Sequence, residues 1–233
     1  MKHPLRTALA LFLCSLAAVL MLTSCSPRRP QASAVDVNGQ RLELDLVPGP
    51  YFRHSGRFLI FSITTSPQIA CWIEAPDGKY LGTIYVTAKV VTRKWFGAPS
   101  SGRPEALPVW SHARAQASLS ADAVTGATPA GTLRVQSPLG AGLQAGAYVV
   151  KLEVNNSFDY NERYTRANSG VNGQPSVVYA GRIDIGTGES TADLAPIGTG
   201  SVDGRDGNIT PGLEGITTAR EILASVRVLY HDR

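Results

Sequence analysis

Apolar side chains recur at every second position along many short stretches of this chain, and this alternation constrains its fold more than any other feature. The runs are Leu42, Leu44 and Leu46; Leu59, Phe61 and Ile63; Ile84, Val86, Ala88 and Val90; Tyr148, Val150, Leu152 and Val154; Ile183 and Ile185; and Val226, Val228 and Tyr230. A period of two puts the apolar side chains of a run on one face of an extended strand. The sequence therefore predicts an all-β fold, an antiparallel β-sandwich, of which the immunoglobulin-like sandwich is one form.

Turn signals and irregular stretches complete this organisation. Pro76-Asp77-Gly78 stands between two apolar runs and suits a tight turn, which predicts a hairpin. Helical periodicity is weak, and at most residues 217–223 are expected to form a turn or two of helix. Residues 96–131 and 186–215 show no alternation, so the sandwich is expected to carry long irregular loops, a kind of segment that is often functional.

The N-terminus has the pattern of an export signal. Lys2 and Arg6 precede an apolar run of 15 residues, 8–22, which is shorter than the ~20 residues of a membrane-spanning helix. Leu22-Thr23-Ser24-Cys25 resembles a lipobox, which implies cleavage before Cys25 and acylation of its thiol and new amine, palmitate being one such acyl chain. We expect a signal peptide over 1–24, a lipidated tether over 25–36 and a single β-sandwich domain over 37–233. An ordinary secretory signal that happens to contain a cysteine is the alternative.

Two or three acyl chains hold a protein on a membrane surface much more firmly than one. Ser26 follows the cysteine, whereas aspartate at that position is the familiar inner-membrane retention signal of enterobacteria. The resemblance therefore implies a lipid-anchored protein of the cell envelope that faces the periplasm, with the outer membrane favoured over the inner.

Charge and cysteine content exclude some classes of function. Loss of Lys2 and Arg6 with the leader takes the 22 basic residues to 20 against 18 acidic ones, so the formal net charge falls from +4 to +2. No basic stripe with interleaved aromatic residues remains, which argues against a nucleic-acid partner. Cys71 is left as a lone thiol beside Ile69, Ala70 and Trp72, a setting that predicts a buried core residue.

One segment of the first irregular stretch resembles a known modification motif. Asp122, two variable residues, Thr125, Gly126, Ala127 and Thr128 match the recognition motif of extracytoplasmic flavin transferases. In proteins with that motif, FMN is joined through its phosphate to the final threonine hydroxyl, which implies covalent FMN on Thr128. Small residues at 126 and 127 allow close approach to the backbone, and a covalent bond keeps the cofactor from being lost in the periplasm.

The motif has one departure and one alternative. Pro129 and Ala130 follow Thr128, where such sites usually continue with another threonine or serine. The alternative is a glycine turn capped by Asp122 and Thr125, a common local arrangement.

A wider resemblance covers most of the chain from about Ile69 to the C-terminus. The segments that carry it are Arg-Pro-Glu-Ala-Leu-Pro-Val-Trp at 103–110, the motif at 122–129, Val-Asn-Asn-Ser-Phe-Asp-Tyr-Asn at 154–161, Gly-Thr-Gly-Ser-Val-Asp-Gly at 198–204 and Thr-Thr-Ala at 217–219. They resemble the predicted periplasmic proteins grouped as domain of unknown function 2271. That family has no settled biochemical role. The resemblance implies a setting beside PepSY-type membrane proteins and flavin transferases, in electron transfer or iron handling.

Two groups of polar residues are further candidates. Asp203, Asp206 and Asn208 lie in a glycine-rich stretch and offer oxygen ligands to calcium, although the spacing is not that of an EF-hand and a plain turn is favoured. A second group could line a ligand mouth, or could hydrogen-bond the backbone of a wide loop, which is the favoured interpretation. Its members are Glu153, Asn155, Asp159, Asn161 and Glu162.

Catalytic signatures are weak. His54, His112 and His231 lack the short spacings of zinc or copper ligands. His112 follows Trp110 by two residues, and a position near Thr128 would let it tune a flavin; a surface histidine is the alternative. No Gly-x-Ser-x-Gly elbow is present. The sequence favours an accessory in extracytoplasmic, FMN-linked electron transfer over an enzyme, with a non-catalytic binding or scaffold module of an envelope complex as the second hypothesis.

Overall fold

The alternating runs form strands whose apolar sides meet between two sheets. The computed structural model of the chain describes residues 39–58, 61–93, 95, 102–117, 124–126, 131–186 and 188–232. The strands are β1 (Arg41–Pro48), β2 (His54–Phe58), β3 (Phe61–Thr65), β4 (Gln68–Glu74), β5 (Tyr80–Thr87), β6 (Val124–Gly126), β7 (Leu133–Ser137), β8 (Gly146–Asn155), β9 (Val177–Ile185), β10 (Ser190–Asp193), β11 (Ala195–Thr199), β12 (Thr210–Pro211) and β13 (Leu223–His231). The α-helices are α1 (Ala88–Thr92), α2 (Pro108–Gln116) and α3 (Arg166–Ser169), and short 3-10 helices span Pro104–Ala106, Pro138–Gly142 and Thr218–Glu221.

Strand pairing makes one large sheet, one smaller sheet and a hairpin. The seven-stranded sheet has the order β12-β11-β9-β8-β4-β5-β6, the four-stranded sheet has the order β10-β13-β1-β7, and β2 pairs with β3. All of these pairs are antiparallel except β5 with β6. The predicted all-β, antiparallel sandwich is confirmed.

The main core lies between the two sheets, as the alternation predicts. Leu42, Leu44 and Leu46 of β1 are completely buried. They belong to one apolar cluster with residues of the large sheet, among them Cys71 and Leu152. Burial of each leucine contributes about 1.5–3 kcal/mol. The predicted core position of Cys71 is confirmed, and burial raises the pKa of its thiol.

The predicted hairpin joins β4 to β5. Glu74 pairs with Tyr80 across it. The Lys79 amide donates to Asp77 Oδ1 at 3.0 Å, and Gly78 has a φ of +87°, a left-handed value that glycine adopts without steric cost. The turn chemistry is therefore the one expected for this tripeptide.

Two expectations about local structure were wrong. Ala88 and Val90 were expected to continue the strand that contains Val86, but β5 ends at Thr87 and α1 follows. The neighbouring strand β4 begins at Gln68, which is level with Ala88 in the antiparallel register, so β4 offers no ladder partner beyond Ala88. The backbone satisfies its hydrogen bonds as a helix instead. Thr87 marks the change, since its hydroxyl donates to Gln68 Oε1 at 3.1 Å.

The stretches expected to be irregular also contain regular elements. Residues 96–131 include α2 and β6, and residues 186–215 include β10, β11 and β12. These elements were missed because they are short: only Pro108, Val109 and Trp110 of α2 are buried, too few for a helical stripe. The turn of helix expected within residues 217–223 is confirmed by the 3-10 helix Thr218–Glu221.

Every described residue belongs to one compact unit, Val35–Arg233. The predicted signal peptide, the lipidation site Cys25 and the tether over 25–36 lie outside the described residues. Within the described part of the chain, no helix is both long enough and apolar enough to cross a membrane.

Candidate functional site

Helix α2 covers the outer face of the seven-stranded sheet. Every residue of β4 is buried, because one face of this strand meets the main core and the other meets a second apolar cluster. In that second cluster Ala70 and Trp72 of β4 pack with Val109 and Trp110 of α2. Pro108 begins the helix at a position where its fixed φ is favourable and where no amide hydrogen is needed.

The start of α2 is held by a carboxylate from the sheet. Glu153 of β8 is completely buried and accepts the amides of Val109 at 3.2 Å and Trp110 at 2.8 Å. The first amides of a helix have no partner within it, and Leu107, at the N-cap, offers no side-chain bond. The hydroxyl of Ser176, the residue before β9, donates a hydrogen bond to the same carboxylate at 2.6 Å. Glu153 therefore fixes where α2 begins on the sheet.

Burial raises the pKa of Glu153 from an ordinary 4.5 to about 7. Removal of a carboxylate from water disfavours its charged form. The bonds from Ser176, Trp110 and Val109 act in the opposite direction, since they favour the ionised group. The carboxyl group therefore titrates near neutral pH at the end of a helix where negative charge is stabilising.

The absence of a side chain at Gly200 leaves room for the packing of Ser176, Pro108 and Glu153. A Cβ at this position would lie 2.5 Å from Ser176 Oγ, 2.8 Å from Pro108 Cγ and 2.9 Å from Glu153 Oε1. Distances this short are incompatible with a side chain unless the surroundings move. The chain after β11 thus packs directly over the buried carboxylate.

A cavity of about 510 Å³ lies along one flank of α2. At its floor Glu74 accepts the indole N–H of Trp72 at 2.7 Å and forms an ion pair with Lys151 Nζ at 2.7 Å. His112 and Arg205 also line this space, which we name the Lys151 cavity. Charged residues of both signs line this cavity, so its lining shows no preference for a cation or an anion.

A cavity of about 490 Å³ lies along the other flank of α2. Arg93, Arg103 and Arg114 line it together with Trp95 and Trp110, and we name it the arginine cavity. None of the described residues that line it is aspartate or glutamate. The two cavities therefore differ in charge although they share a helix.

The flavin-transferase motif is described only in part. Thr125 and Gly126 belong to β6, the edge strand of the seven-stranded sheet, and pair with Val86 and Thr87 of β5. Thr125 is exposed. Asp122, Ala127 and Thr128 lie outside the described residues. The described half of the motif is therefore on the surface of the sheet edge and not in the core.

The candidate calcium ligands act as local turn caps. Asp203 Oδ1 accepts the Arg205 amide at 3.2 Å, and Asp206 Oδ1 accepts the Asn208 amide at 2.9 Å. Asp203 also forms an ion pair with the Arg205 side chain. These bonds match the favoured interpretation of this segment as a turn. No group of three or more His, Cys, Asp or Glu side chains in the described ranges is placed to hold a metal ion.

The second polar group largely satisfies loop backbone, as the favoured interpretation predicts. The Asn155 side-chain amide donates to the Gln174 carbonyl at 2.9 Å. Asn161 accepts the Tyr164 amide at 2.8 Å and donates to the Gly215 carbonyl at 2.9 Å. The other members differ in setting: Asp159 is buried and accepts the Thr218 hydroxyl, Glu162 is exposed, and Glu153 serves α2.

The three histidines considered as ligands lie in separate settings. His54 and His112 each bond a backbone carbonyl, that of Phe158 at 3.1 Å and that of Pro108 at 2.9 Å. Because a carbonyl oxygen only accepts, the bonded ring nitrogen carries the proton in each case. His231 lies within 3.2 Å of Glu189. His112 lines the Lys151 cavity, while its relation to Thr128 falls outside the described residues.

No family model, no curated protein and no solved structure matches the chain. Function therefore has to be inferred from side-chain chemistry, because a β-sandwich hosts many unrelated functions.

Several residues of these sites carry no clear signal in the sequence. Glu74 and Lys151 occupy strands as isolated charged residues, Arg114 stands in the stretch without alternation, and Arg93 belongs to no motif. One available signal was Pro108 after a run of irregular chain, since proline is frequent at the first position of a helix. A second was Glu153, a carboxylate within an apolar alternation, which indicates a buried group with specific partners.

Proposed function

We propose that this chain is an envelope lipoprotein that serves as an accessory in extracytoplasmic electron transfer, with FMN linked to Thr128. The observation that carries the proposal is the exposed position of Thr125 on the edge strand β6. A modifying enzyme must reach the backbone of its target, and an edge strand offers unpaired backbone groups for such docking. The partial match to the flavin-transferase motif supports the same conclusion.

The proposed modification is a phosphoester. The Thr128 hydroxyl oxygen bonds to the phosphate of the FMN moiety of flavin adenine dinucleotide, which the transferase supplies, while the diphosphate bond breaks, AMP leaves and the hydroxyl proton is released. The flavin then supplies the redox chemistry. The sandwich positions the flavin between a membrane reductase of the PepSY type and an outer acceptor, and turns over no substrate itself.

Co-expression with a flavin transferase tests the flavin part of the proposal. Intact mass and in-gel fluorescence are expected to show one added FMN on the wild type and none on Thr128→Ala. Thr210→Ala is the matched control, because Thr210 is exposed on β12, the edge strand at the opposite end of the same sheet. An unmodified wild type, or FMN retained by Thr128→Ala, would contradict the proposed attachment.

Labelling with palmitate in cells tests the proposed anchor separately. The wild type is expected to incorporate label and to fractionate with membranes, and Cys25→Ala is expected to do neither. A wild-type chain that takes up no label would rule out the lipobox interpretation while leaving the flavin test intact.

A second function, a non-catalytic binding module, is favoured by one observation. Both cavities along α2 are lined by described residues, and none of these residues belongs to the flavin-transferase motif. Sandwich domains commonly bind partners through loops and additions at the edges of their sheets. An absence of FMN in the co-expression test would make this the leading function.

A further inference from the structure

We propose that the arginine cavity binds a small amphipathic anion, with Arg93 and Arg114 holding a phosphate or carboxylate group and the apolar wall holding the body of the molecule. This inference goes beyond the proposed electron-transfer role and does not depend on it. The volume of about 490 Å³ is within the range of about 300–1,000 Å³ typical of small-molecule sites.

The charges of the cavity favour an anion. Arg103 is already neutralised, since it bonds Glu105 at 3.0 Å and also donates to Ser157 at 2.6 Å and Asn172 at 3.3 Å. Arg93 and Arg114 form no ion pair with any residue in the described part of the chain. Two cations beside a shared, partly enclosed space repel each other, and an anion between them removes that repulsion.

The side chain of Arg114 and the backbone of Arg93 are each constrained. The Arg114 guanidinium lies over the Trp110 ring, 5.3 Å from its centre, in cation–π geometry. Arg93 ends α1 with φ 55° and ψ 24°, the left-handed conformation that glycine usually provides at a helix end. For a residue with a side chain this conformation costs about 1–2 kcal/mol. Strain of this kind is typical of functional positions, where the side chain itself is needed.

Gly102 lies against the side chains of Arg93 and Trp95 in the wall of the arginine cavity. Its φ is +80°, and a Cβ there would lie 3.1 Å from Arg93 Cβ and 3.2 Å from Trp95 Cζ3. The Arg93 and Trp95 side chains therefore rest on bare backbone at this position. A side chain at 102 would require both to shift by a few tenths of an ångström.

The residues of the cavity wall other than the arginines indicate which groups the ligand carries besides its charge. Val90, Val91, Pro104 and Ala115 give the cavity an apolar side. The Trp95 indole N–H is buried and has no hydrogen-bond partner among the described residues, a state that costs about 1–3 kcal/mol. A ligand that carries an acceptor oxygen beside an apolar body satisfies both features, and inorganic phosphate alone satisfies only one.

Intrinsic fluorescence of the full chain in nonionic detergent provides the test, because two of its three tryptophans line this cavity. The ligands are phenyl phosphate, inorganic phosphate and phenol. Phenyl phosphate is expected to give a saturable change and to bind at least about tenfold more tightly than either of the others, since only it uses both walls. Equal affinity for inorganic phosphate or for phenol, or no saturable change, would overturn the proposal without any mutation.

Variants assign the effect to the arginines. Arg93→Gln and Arg114→Gln are each expected to weaken phenyl phosphate binding about tenfold, the loss typical of one charge-assisted contact. Arg114→Lys is expected to retain more affinity than Arg114→Gln. Arg220→Gln removes the same charge on the 3-10 helix Thr218–Glu221 and is expected to bind as the wild type does. Circular dichroism confirms folding, and a folded Arg93→Gln with unchanged affinity would overturn the assignment.

One further competition measurement distinguishes a soluble anion from a lipid headgroup as the ligand. Phosphatidylglycerol mixed into the detergent micelles is expected not to displace phenyl phosphate, because the cavity accepts a small molecule and not a lipid headgroup held at a micelle surface. Displacement by this lipid that is lost in Arg93→Gln would overturn the assignment to a small soluble anion.

Discussion

Glu153 shows how a single residue links the core to the surface of this protein. It is a charged group in a strand whose apolar neighbours face the core, and it is completely buried. Its carboxylate is tolerated because two helix amides and one hydroxyl donate to it. The same residue therefore places α2 and, through α2, the walls of both cavities.

The raised pKa of Glu153 makes the stability of the protein depend on pH. The folded state keeps a proton that the unfolded chain releases, so the stabilising effect is complete below pH 4.5 and is lost as the pH rises through about 7. The difference amounts to about 3 kcal/mol at most, since one pKa unit corresponds to about 1.4 kcal/mol. We expect the free energy of unfolding in urea to fall over this window in the wild type and to fall less in Glu153→Gln.

Comparison of variants isolates this effect from other titrating groups. Glu162→Gln, which removes an exposed carboxylate, is expected to keep the wild-type pH dependence. A Glu153→Gln variant with the same pH dependence as the wild type would show that this carboxyl group is not the source.

At the scale of elements, α2 depends on three strands that are distant in sequence. Its first turn is bonded by β8, its buried face packs on β4, and the chain after β11 closes over its start at Gly200. The helix itself is short and has only three buried residues. Its position is therefore set by the sheet and not by its own sequence, as is usual for short helices.

Gly200→Ala tests this dependence. The added Cβ would collide with Ser176, Pro108 and Glu153, so we expect a loss of about 1–3 kcal/mol in the free energy of unfolding, the usual cost of overpacking. Urea unfolding followed by tryptophan fluorescence measures it. Gly131→Ala is the matched control, because a Cβ at 131 would meet nothing within 4 Å. Equal stability of the two variants would show that the chain above Glu153 adjusts freely.

At the scale of the whole molecule, the first and last strands of the described chain close the sandwich together. β13 lies between β10 and β1 in the four-stranded sheet, and its register with β1 runs from Arg41 opposite His231 to Pro48 opposite Leu223. Val226, Val228 and Tyr230 of β13 are buried in the main core. The fold is therefore complete only when the C-terminal strand is in place.

A chain that ends at Ile222 is expected not to fold. It loses an interior strand of one sheet and four core side chains, those of Leu223, Val226, Val228 and Tyr230. Each contributes about 1.5–3 kcal/mol, and together they approach the total stability of about 5–15 kcal/mol typical of a domain. Circular dichroism and limited proteolysis are expected to show an unfolded product. A chain that ends at Asp232 keeps all of β13 and is the control. Cooperative thermal unfolding of the shorter chain would contradict this account of the sandwich.

The sequence by itself determined the strands with clear alternation, the main core and the β4–β5 turn. Leu42, Leu44 and Leu46 were assigned to one buried face by their spacing, and Asp77 and Gly78 to a turn by their chemistry, because both signals act between residues close in the chain. The lone thiol of Cys71 was placed correctly for the same reason. The sequence signal for α2 was limited to Pro108, and no signal marked the end of β5, since the position of α2 depends on the sheet beneath it and the end of β5 depends on where β4 begins.

Only the tertiary structure decided the sites. Glu153 and Trp110 are 43 residues apart, Arg103 and Asn172 are 69 apart, and neither pair shares a periodic pattern. Alternation fixes which face of a strand is buried, but it carries no information on which distant segment will cover that face. The buried carboxylate, the two cavities and their charges exist because sheet pairing brings these segments together, and no local signal encodes that pairing.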